Sequence, residues 1–173
     1  MHLETKRLYL RQPKREDAQA YCDIHNSYFV LRYNAMMPTT PERMEGKFQD
    51  SEYVSQTVFL EEKENGKLIG AIFLEDDDLR YGVESKNISY FIAESHARQG
   101  FMKEAMDAVI RYLFEAENLD CVCARAFAPN EASRALLRSL GFRENGIIPL
   151  CVKGYGGVIF DDVIHTLFPK DLI

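Results

Sequence analysis

Tryptophan and long apolar segments are absent from this sequence. A membrane-spanning helix needs about 20 consecutive apolar residues, and the apolar runs here are far shorter, so we expect no membrane partner. The first residues also lack the basic and then apolar pattern of a secretory signal, and the chain carries no lipidation motif. Together these absences predict a cytoplasmic protein.

Cysteine is scarce, with four residues, and only Cys121 and Cys123 stand close together. Alternate residues of a strand share one face, so both thiols are expected on the same side of a strand. No second pair follows at the spacing of a zinc site, and we therefore predict that no metal is bound. Buried free thiols in a reducing compartment are the better interpretation.

Positive charge is in deficit, because 21 lysine and arginine residues stand against 27 aspartate and glutamate residues. The resulting net charge of −6 argues against a nucleic-acid partner and mildly favours neutral or cationic substrates. The 173 residues, of which 46% are hydrophobic, are enough for one substantial core, and we predict a single domain over residues 1–173.

The segment Asn87–Leu113 organises the rest of the chain. Its first residues alternate as in a buried strand, and apolar residues recur at helical spacing from Phe101 onwards. Between them lies a polar loop with Arg98 and Gly100, and Lys103 follows. A helix start offers free N–H groups and the positive end of the helix dipole, so we predict an anion site for a pyrophosphate-bearing cofactor. The glycine patterns of Walker-type and dinucleotide-binding loops are missing.

The remaining segments predict a mixed α/β protein with the order β-α-α-β-β-β-α-β-α-β-β. Asn65-Gly66 between two apolar runs indicates a hairpin. Thr40-Pro41 and Asn130 are typical of helix starts. The acidic run Glu75–Asp78 could attract a cationic amine, but it is expected to be a solvated loop. Aromatic residues and methionines are dense around Tyr28–Met44, which fits core packing, a substrate pocket or a homodimer contact.

Two motifs carry a family resemblance. The segments NISYFIAESHARQGFMKEA and NEASRALLRSLGF resemble the GNAT acetyltransferases, and in particular the RimJ/RimL-like branch of ribosomal-protein N-terminal acetyltransferases. The residues that agree are Ile88, Tyr90, Gly100, Glu104 and Ala105 in the first motif, and Asn130, Ala132, Ser133, Leu137, Leu140, Gly141 and Phe142 in the second. The first strand and the last hairpin also fit, so the resemblance covers nearly the whole chain.

The resemblance implies a GNAT fold, with one mixed, mostly antiparallel sheet of about seven strands flanked by helices on both faces. It also implies an N-acetyltransferase that moves an acetyl group from acetyl-CoA to a primary amine, either a protein N-terminus or a small molecule, by direct attack in a ternary complex. The alternative is a non-catalytic CoA-binding module of the same fold. The implied cofactor-binding residues are Ile92, Arg98, Gln99, Gly100, Phe101, Met102, Lys103, Asn130 and Ser133.

The catalytic candidates follow from where this chain departs from the family. Many relatives use a tyrosine where this chain has Leu137, so Ser133 is the candidate partner of the leaving thiolate. Ser133 would equally suit a role in the helix start. Asn87 replaces the family's glutamate and cannot accept a proton. Glu94, Tyr90 and Glu75 are therefore the candidate bases.

Predictions also follow for the loop before the helix and for two histidines. The loop has Ala97-Arg98 where the family has Trp-Gly, and Met102 where it has a small residue, which would narrow the approach of the cofactor. Histidine is a residue type that can change its charge near neutral pH, and His96 is expected at the surface or against a phosphate. His165 is expected in the core or at the surface rather than in the acceptor cleft.

Overall fold

The computed structural model describes all residues, 1–173, and contains one eight-stranded sheet. The strands are β1 (Leu3–Glu4), β2 (Leu8–Arg11), β3 (Thr57–Glu62), β4 (Leu68–Asp76), β5 (Ser85–Ile92), β6 (Cys121–Phe127), β7 (Arg143–Lys153) and β8 (Ile159–Leu167). Their order in the sheet is β1-β2-β3-β4-β5-β6-β8-β7. Only β5 and β6 are parallel. The mixed, mostly antiparallel sheet is confirmed, and the two-residue β1 makes it eight-stranded rather than about seven-stranded.

Six α-helices connect the strands. They are α1 (Ala18–His25), α2 (Tyr28–Leu31), α3 (Pro41–Lys47), α4 (Ser51–Ser55), α5 (Phe101–Glu115) and α6 (Glu131–Ser139). The predicted helix starts at Thr40 and Asn130 are confirmed, because each side chain accepts a hydrogen bond from a backbone N–H of the first turn. Four helices rather than two separate β2 from β3, since α2 and α4 are too short to leave a helical periodicity in the sequence.

The alternation of strand residues builds one core on each face of the sheet. Val58 and Leu60 of β3 belong to the larger core, which α5 and α6 cover. Phe59, between them, points to the smaller core, which contains residues of α1, α2 and α3. The residues of α5 that are completely buried are Ala105, Met106, Val109, Ile110 and Leu113. Helices therefore flank both faces, as expected.

The sheet opens at its centre. The parallel pairing of β5 with β6 joins Ser85–Ile88 to Cys121–Ala124 and ends there. Beyond that point β5 continues to Ile92 and β6 to Phe127 without pairing to each other. Backbone groups on the facing edges of both strands are thus left free of strand partners. This opening positions the site described below.

The acidic run and the cysteines show how far composition predicts burial. Glu75, Asp76 and Asp78 are exposed, as expected, but Glu75 and Asp76 belong to β4 rather than to a loop. The expectation of a solvated side chain is wrong for Asp77, which is 3% exposed and whose Oδ2 lies 2.6 Å from Arg80 Nη1. A carboxylate can be buried there because the guanidinium compensates its charge. All four cysteines are free thiols, and Cys121 and Cys123 are buried. None of the helices has both the length and the apolar character required to cross a membrane.

Candidate active site

Two clefts meet at the point where β5 and β6 separate. The first, of about 830 Å³, lies against the starts of α5 and α6, and we call it the helix cleft. The second, of about 760 Å³, is lined by residues of β4, β5 and β6 and by α3, and we call it the strand cleft. Both clefts are lined by Tyr33, Asn34, Tyr90, Phe91, Asn130 and Ser133. Molecules seated in the two clefts would therefore touch at these side chains.

The loop before α5 presents a row of free donors. The backbone N–H groups from Arg98 to Lys103 make no hydrogen bond within the protein, and the first bond of the helix runs from Glu104 N to Gly100 O. Arg98 and Gly100 adopt left-handed backbone conformations, with φ of 61° and 80°. Glycine tolerates this region at no steric cost. These N–H groups and the helix dipole favour an anion at this point.

A partly buried network holds the loop in place. Glu104 of α5 accepts hydrogen bonds from Thr5 Oγ1 (2.6 Å) and from the backbone N–H of Arg7 (2.7 Å), and its other oxygen binds Arg7 Nε at 2.7 Å. Although burial alone would raise the pKa of Glu104, these partners lower it below its usual value. Arg7 also donates to the carbonyl of Gln99 and lies 3.9 Å from the ring centroid of Phe101. The loop is thus fixed to the first two strands.

The helix cleft is electropositive. The cations that line it are Arg32, Arg98 and Lys103, and the only carboxylate among its lining residues is Glu131. A pyrophosphate fits this arrangement, because free N–H donors and cationic side chains surround one end of the cleft. Met102 is 6% exposed and packs in the larger core, while Arg98 is exposed. The bulk of Met102 is therefore largely accommodated in the core.

Most of the predicted cofactor-binding residues line one cleft. Those that line the helix cleft are Ile92, Arg98, Gly100, Phe101, Met102, Lys103, Asn130 and Ser133. Gln99 is exposed and is not among the lining residues. Its backbone carbonyl accepts a hydrogen bond from Arg7, and its side-chain amide donates one to the carbonyl of Ser95. Its contribution is limited to its free backbone N–H group.

A hydrogen-bonded pair of hydroxyl groups stands where the two clefts meet. Tyr90 Oη lies 2.6 Å from Ser133 Oγ. Asn130 Oδ1 accepts the backbone N–H of Ser133 at 3.3 Å, so Asn130 caps α6 and the Ser133 hydroxyl is left to pair with Tyr90. Burial raises the pKa of Tyr90 to about 12, although the bond to Ser133 opposes this shift. Both groups are therefore protonated, and able to donate, at neutral pH. Leu137 is fully buried in the larger core.

The structure does not bring the candidate carboxylates together. Glu94 is exposed and lines neither cleft. Glu75 is exposed at the strand cleft, opposite Asn87 in the β4–β5 pairing. His96 lines the helix cleft, with Nε2 lying 3.4 Å from Glu62. His165 is completely buried and lines neither cleft, and burial lowers its pKa. The expected core position of His165 is confirmed.

The sequence reasoning missed Arg125 and Asp162. Asp162 is 3% exposed, lines the strand cleft and binds Arg125 Nε through Oδ2 at 2.7 Å. A signal was available in the segment VIFDDVIHTLF, where two aspartates interrupt an apolar strand. Because neighbouring strand residues point to opposite faces, one of the two had to face inward. No three side chains of His, Cys, Asp or Glu are grouped so as to hold a metal ion.

The sequence and the fold both match known proteins. Residues 7–143 match the family model described as acetyltransferase (GNAT) domain. The uncharacterized N-acetyltransferase YoaA of Bacillus subtilis (strain 168) is 31% identical over 190 residues, which cover 98% of each chain. Ribosomal-protein-S5-alanine acetyltransferase from Vibrio fischeri has a TM-score of 0.86 at 18% identity, covering 100% of this chain and 99% of that one. Mycobacterium smegmatis RimJ, solved in complex with CoA-disulfide, has a TM-score of 0.82 at 19% identity, covering 99% of this chain and 89% of that one.

Proposed function

Because this chain belongs to the GNAT acetyltransferase family and is an N-acetyltransferase, we propose that it acetylates a primary amine by direct attack in a ternary complex. Acetyl-CoA binds in the helix cleft and the amine in the strand cleft. The observation that carries the proposal is the meeting of the two clefts at Tyr90 and Ser133. A ternary complex needs two binding spaces with one common point, and this is the common point.

The residues of the helix cleft suit the pyrophosphate and the pantetheine arm of acetyl-CoA. The free N–H groups from Arg98 to Lys103 bind the pyrophosphate, with support from the cationic side chains of Arg32, Arg98 and Lys103. Ile92 and the unpaired edge of β5 lie beside the pantetheine arm. RimJ from Mycobacterium smegmatis, which shares this fold, has been solved with CoA-disulfide, and this supports CoA as the carrier here.

The reaction requires few groups. The neutral amine forms a bond to the acetyl carbonyl carbon, the carbon–sulfur bond breaks, and one proton leaves nitrogen while one is gained by the sulfur. Ser133 donates its proton to the departing thiolate and takes a proton from Tyr90, which is protonated before the reaction because its pKa is raised. The proton that the amine releases to water replaces the one that Tyr90 gives up. Seating both reactants at one point supplies a further part of the acceleration.

The amine loses its proton without a dedicated base. Glu94 is exposed outside both clefts, and Asn87 cannot accept a proton. Glu75 is exposed and lines only the strand cleft, so it does not belong to the junction with the helix cleft. Tyr90, with its raised pKa, is a donor rather than a base. An α-amino group, with a pKa of about 7.7–8.0, supplies much neutral amine near neutral pH, whereas an alkylamine at about 10.4 supplies little. The proton therefore passes to water, and α-amino acceptors are favoured.

Acetyl transfer to a panel of peptides and small amines tests the proposal, with mass spectrometry of the product. We expect CoA release that matches acetylated amine one to one. In the Ser133→Ala variant we expect kcat to fall about 10²-fold, with the acetyl-CoA KM unchanged. Ser51→Ala, at an exposed position on α4, is the matched control. Normal turnover by Ser133→Ala would contradict the assigned role, and no transfer to any amine would overturn the proposed function.

A further inference from the structure

The strand cleft contains buried acceptor atoms that the proposed reaction does not use. Oδ1 of Asp162 and Oδ1 of Asn87 are both buried and make no hydrogen bond within the protein. Both residues line the strand cleft. A buried polar atom without a partner costs free energy comparable to a lost hydrogen bond. These two atoms are therefore suited to a ligand that donates hydrogen bonds, and the N–H groups of an amine do so.

Two cations without a carboxylate partner line the same cleft. Arg43 and Lys47 are exposed on α3, four residues apart, and neither makes a salt bridge. A spacing of four residues places two side chains on one face of a helix. The Lys47 ammonium lies 5.1 Å from the ring centroid of Tyr53, another residue of the cleft wall. Neither cation has a carboxylate partner within the protein.

The charge of this cleft is opposite in sign to the charge of the chain. Its lining holds three cations, Arg43, Lys47 and Arg125, against two carboxylates, Glu75 and Asp162. His25 adds no charge at neutral pH, because burial lowers its pKa. The cleft thus carries a net charge of +1 in a chain of net charge −6. A local excess of positive charge attracts anions and repels an acceptor with several ammonium groups.

We infer that the acceptor is a primary amine that also carries an anionic group. Its amine donates hydrogen bonds to Asp162 and Asn87, and its anionic group pairs with Arg43 and Lys47. A carboxylate on a peptide and a carboxylate on a small amino acid offer the same chemistry. The inference rests on the proposed function, since it takes the strand cleft to be the acceptor site.

Matched acceptors separate the effect of the anion from the effect of the amine. The peptide pair is Ala-Gly-Glu-amide and Ala-Gly-Gln-amide, whose amines are alike. The small-molecule pair is γ-aminobutyrate and butylamine, both alkylamines, and spermidine serves as the polycationic acceptor. We expect kcat/KM to be about five- to tenfold higher for the anionic member of at least one pair, as two partly exposed ion pairs would give. Spermidine should be the poorest acceptor.

Variants test whether the two cations and Asp162 contribute to acceptor binding as proposed. The double variant Arg43→Gln/Lys47→Gln should abolish the preference for the anionic acceptor through KM, with kcat unchanged. Lys67→Gln, which removes an exposed charge in the β3–β4 turn, is the matched control. Asp162→Asn should raise the KM of every amine acceptor, while the affinity for acetyl-CoA stays unchanged. That unchanged affinity also shows that the variant is folded.

The outcomes separate a failure of this inference from a failure of the proposed function. Equal kcat/KM within both pairs, or a preference that persists in the double variant, overturns the anionic acceptor and leaves acetyl transfer intact. Efficient acetylation of spermidine also overturns it. Absence of transfer to every acceptor, while acetyl-CoA binds, overturns both the inference and the proposed function. The pair that shows the preference identifies whether the carboxylate belongs to a peptide or a small molecule.

Discussion

At the scale of single residues, the proposed chemistry depends most on two hydroxyl groups at the junction of the clefts. Tyr90 comes from β5 and Ser133 from the first turn of α6, and their oxygens lie 2.6 Å apart. Because burial raises the pKa of Tyr90 to about 12, the phenol keeps its proton at every pH in which the protein would be assayed. The role that we propose for the pair is therefore proton donation to a leaving group rather than base catalysis.

This pair predicts a particular pH dependence. For the wild-type protein with an α-amino acceptor, kcat/KM should rise with pH until it passes the pKa of the acceptor amine and should then stay level to about pH 10, because Tyr90 remains protonated. With an alkylamine acceptor, whose pKa is about 10.4, the rise should continue to pH 10. Tyr90→Phe should lower kcat about tenfold or more at all pH values without moving the inflection. The measurement is the pH profile of both proteins with two acceptors of different amine pKa. An inflection that stays at one pH for both acceptors would instead indicate a protein base.

Glu104 links the phosphate loop to the first strands at the scale of secondary-structure elements. Its carboxylate accepts three hydrogen bonds from Thr5 and Arg7, and Arg7 in turn packs on Phe101 at the start of α5. The free N–H groups of the loop are useful only if their directions are fixed, and this network fixes them. Glu104 is one of the residues that match the family's first motif, which gives that match a physical reason.

Removal of this charge should destabilise the protein in a pH-dependent way. The folded state lowers the pKa of Glu104, so the stabilisation is present above the unfolded pKa of about 4.3 and is lost as pH falls through the folded value. At pH 7, Glu104→Gln should lower the melting temperature by about 4 °C. The difference from wild type should shrink below pH 4.

The control for this prediction lies on the same helix. Glu115 is exposed at the end of α5 and accepts no hydrogen bond, so Glu115→Gln should leave the melting temperature nearly unchanged. Melting curves of the three proteins between pH 3 and pH 8 make the comparison. A Glu104→Gln deficit that is equally large at pH 3 and pH 7 would contradict the role of the charge.

The elements that sequence predicted well are those with strong periodicity. The hairpin of β3 and β4, strands β5 and β6, and helices α5 and α6 all appear where alternation or helical spacing indicated them. The short helices α2 and α4 were missed because one helical turn leaves no period. Strand β7 is largely exposed and contains Pro149, which an edge strand tolerates.

Long-range placement limited what the sequence could predict of the site. The helix cleft follows from local motifs, so eight of the nine predicted cofactor-binding residues line it. The strand cleft brings together residues from Tyr21 to Asp162, and no local pattern joins them. Glu94 was a candidate base because Asn87 cannot accept a proton, but Glu94 is exposed and lines neither cleft. The net charge of the chain did not predict the charge of the strand cleft, because the two have opposite signs.

At the scale of the whole molecule, the two clefts meet where the sheet opens. The parallel strands β5 and β6 separate after Ile88 and Ala124 and leave backbone groups between them without strand partners. Helices on the two faces of the sheet border the electropositive helix cleft and the strand cleft. The central claim is that the loop before α5 binds the pyrophosphate of acetyl-CoA. If the pyrophosphate binds elsewhere, the proposal that the thioester lies where the two clefts meet also fails.

Calorimetric titration of the wild-type protein and the Arg98→Glu variant with acetyl-CoA and with CoA tests this claim most directly. Lys67→Glu is the control for the change in net charge. We predict low-micromolar affinity for wild type, on the order of tenfold or greater weakening in Arg98→Glu from charge reversal at the phosphate, and no change in Lys67→Glu. Equal affinity of wild type and Arg98→Glu, or no binding at millimolar acetyl-CoA, would contradict the account.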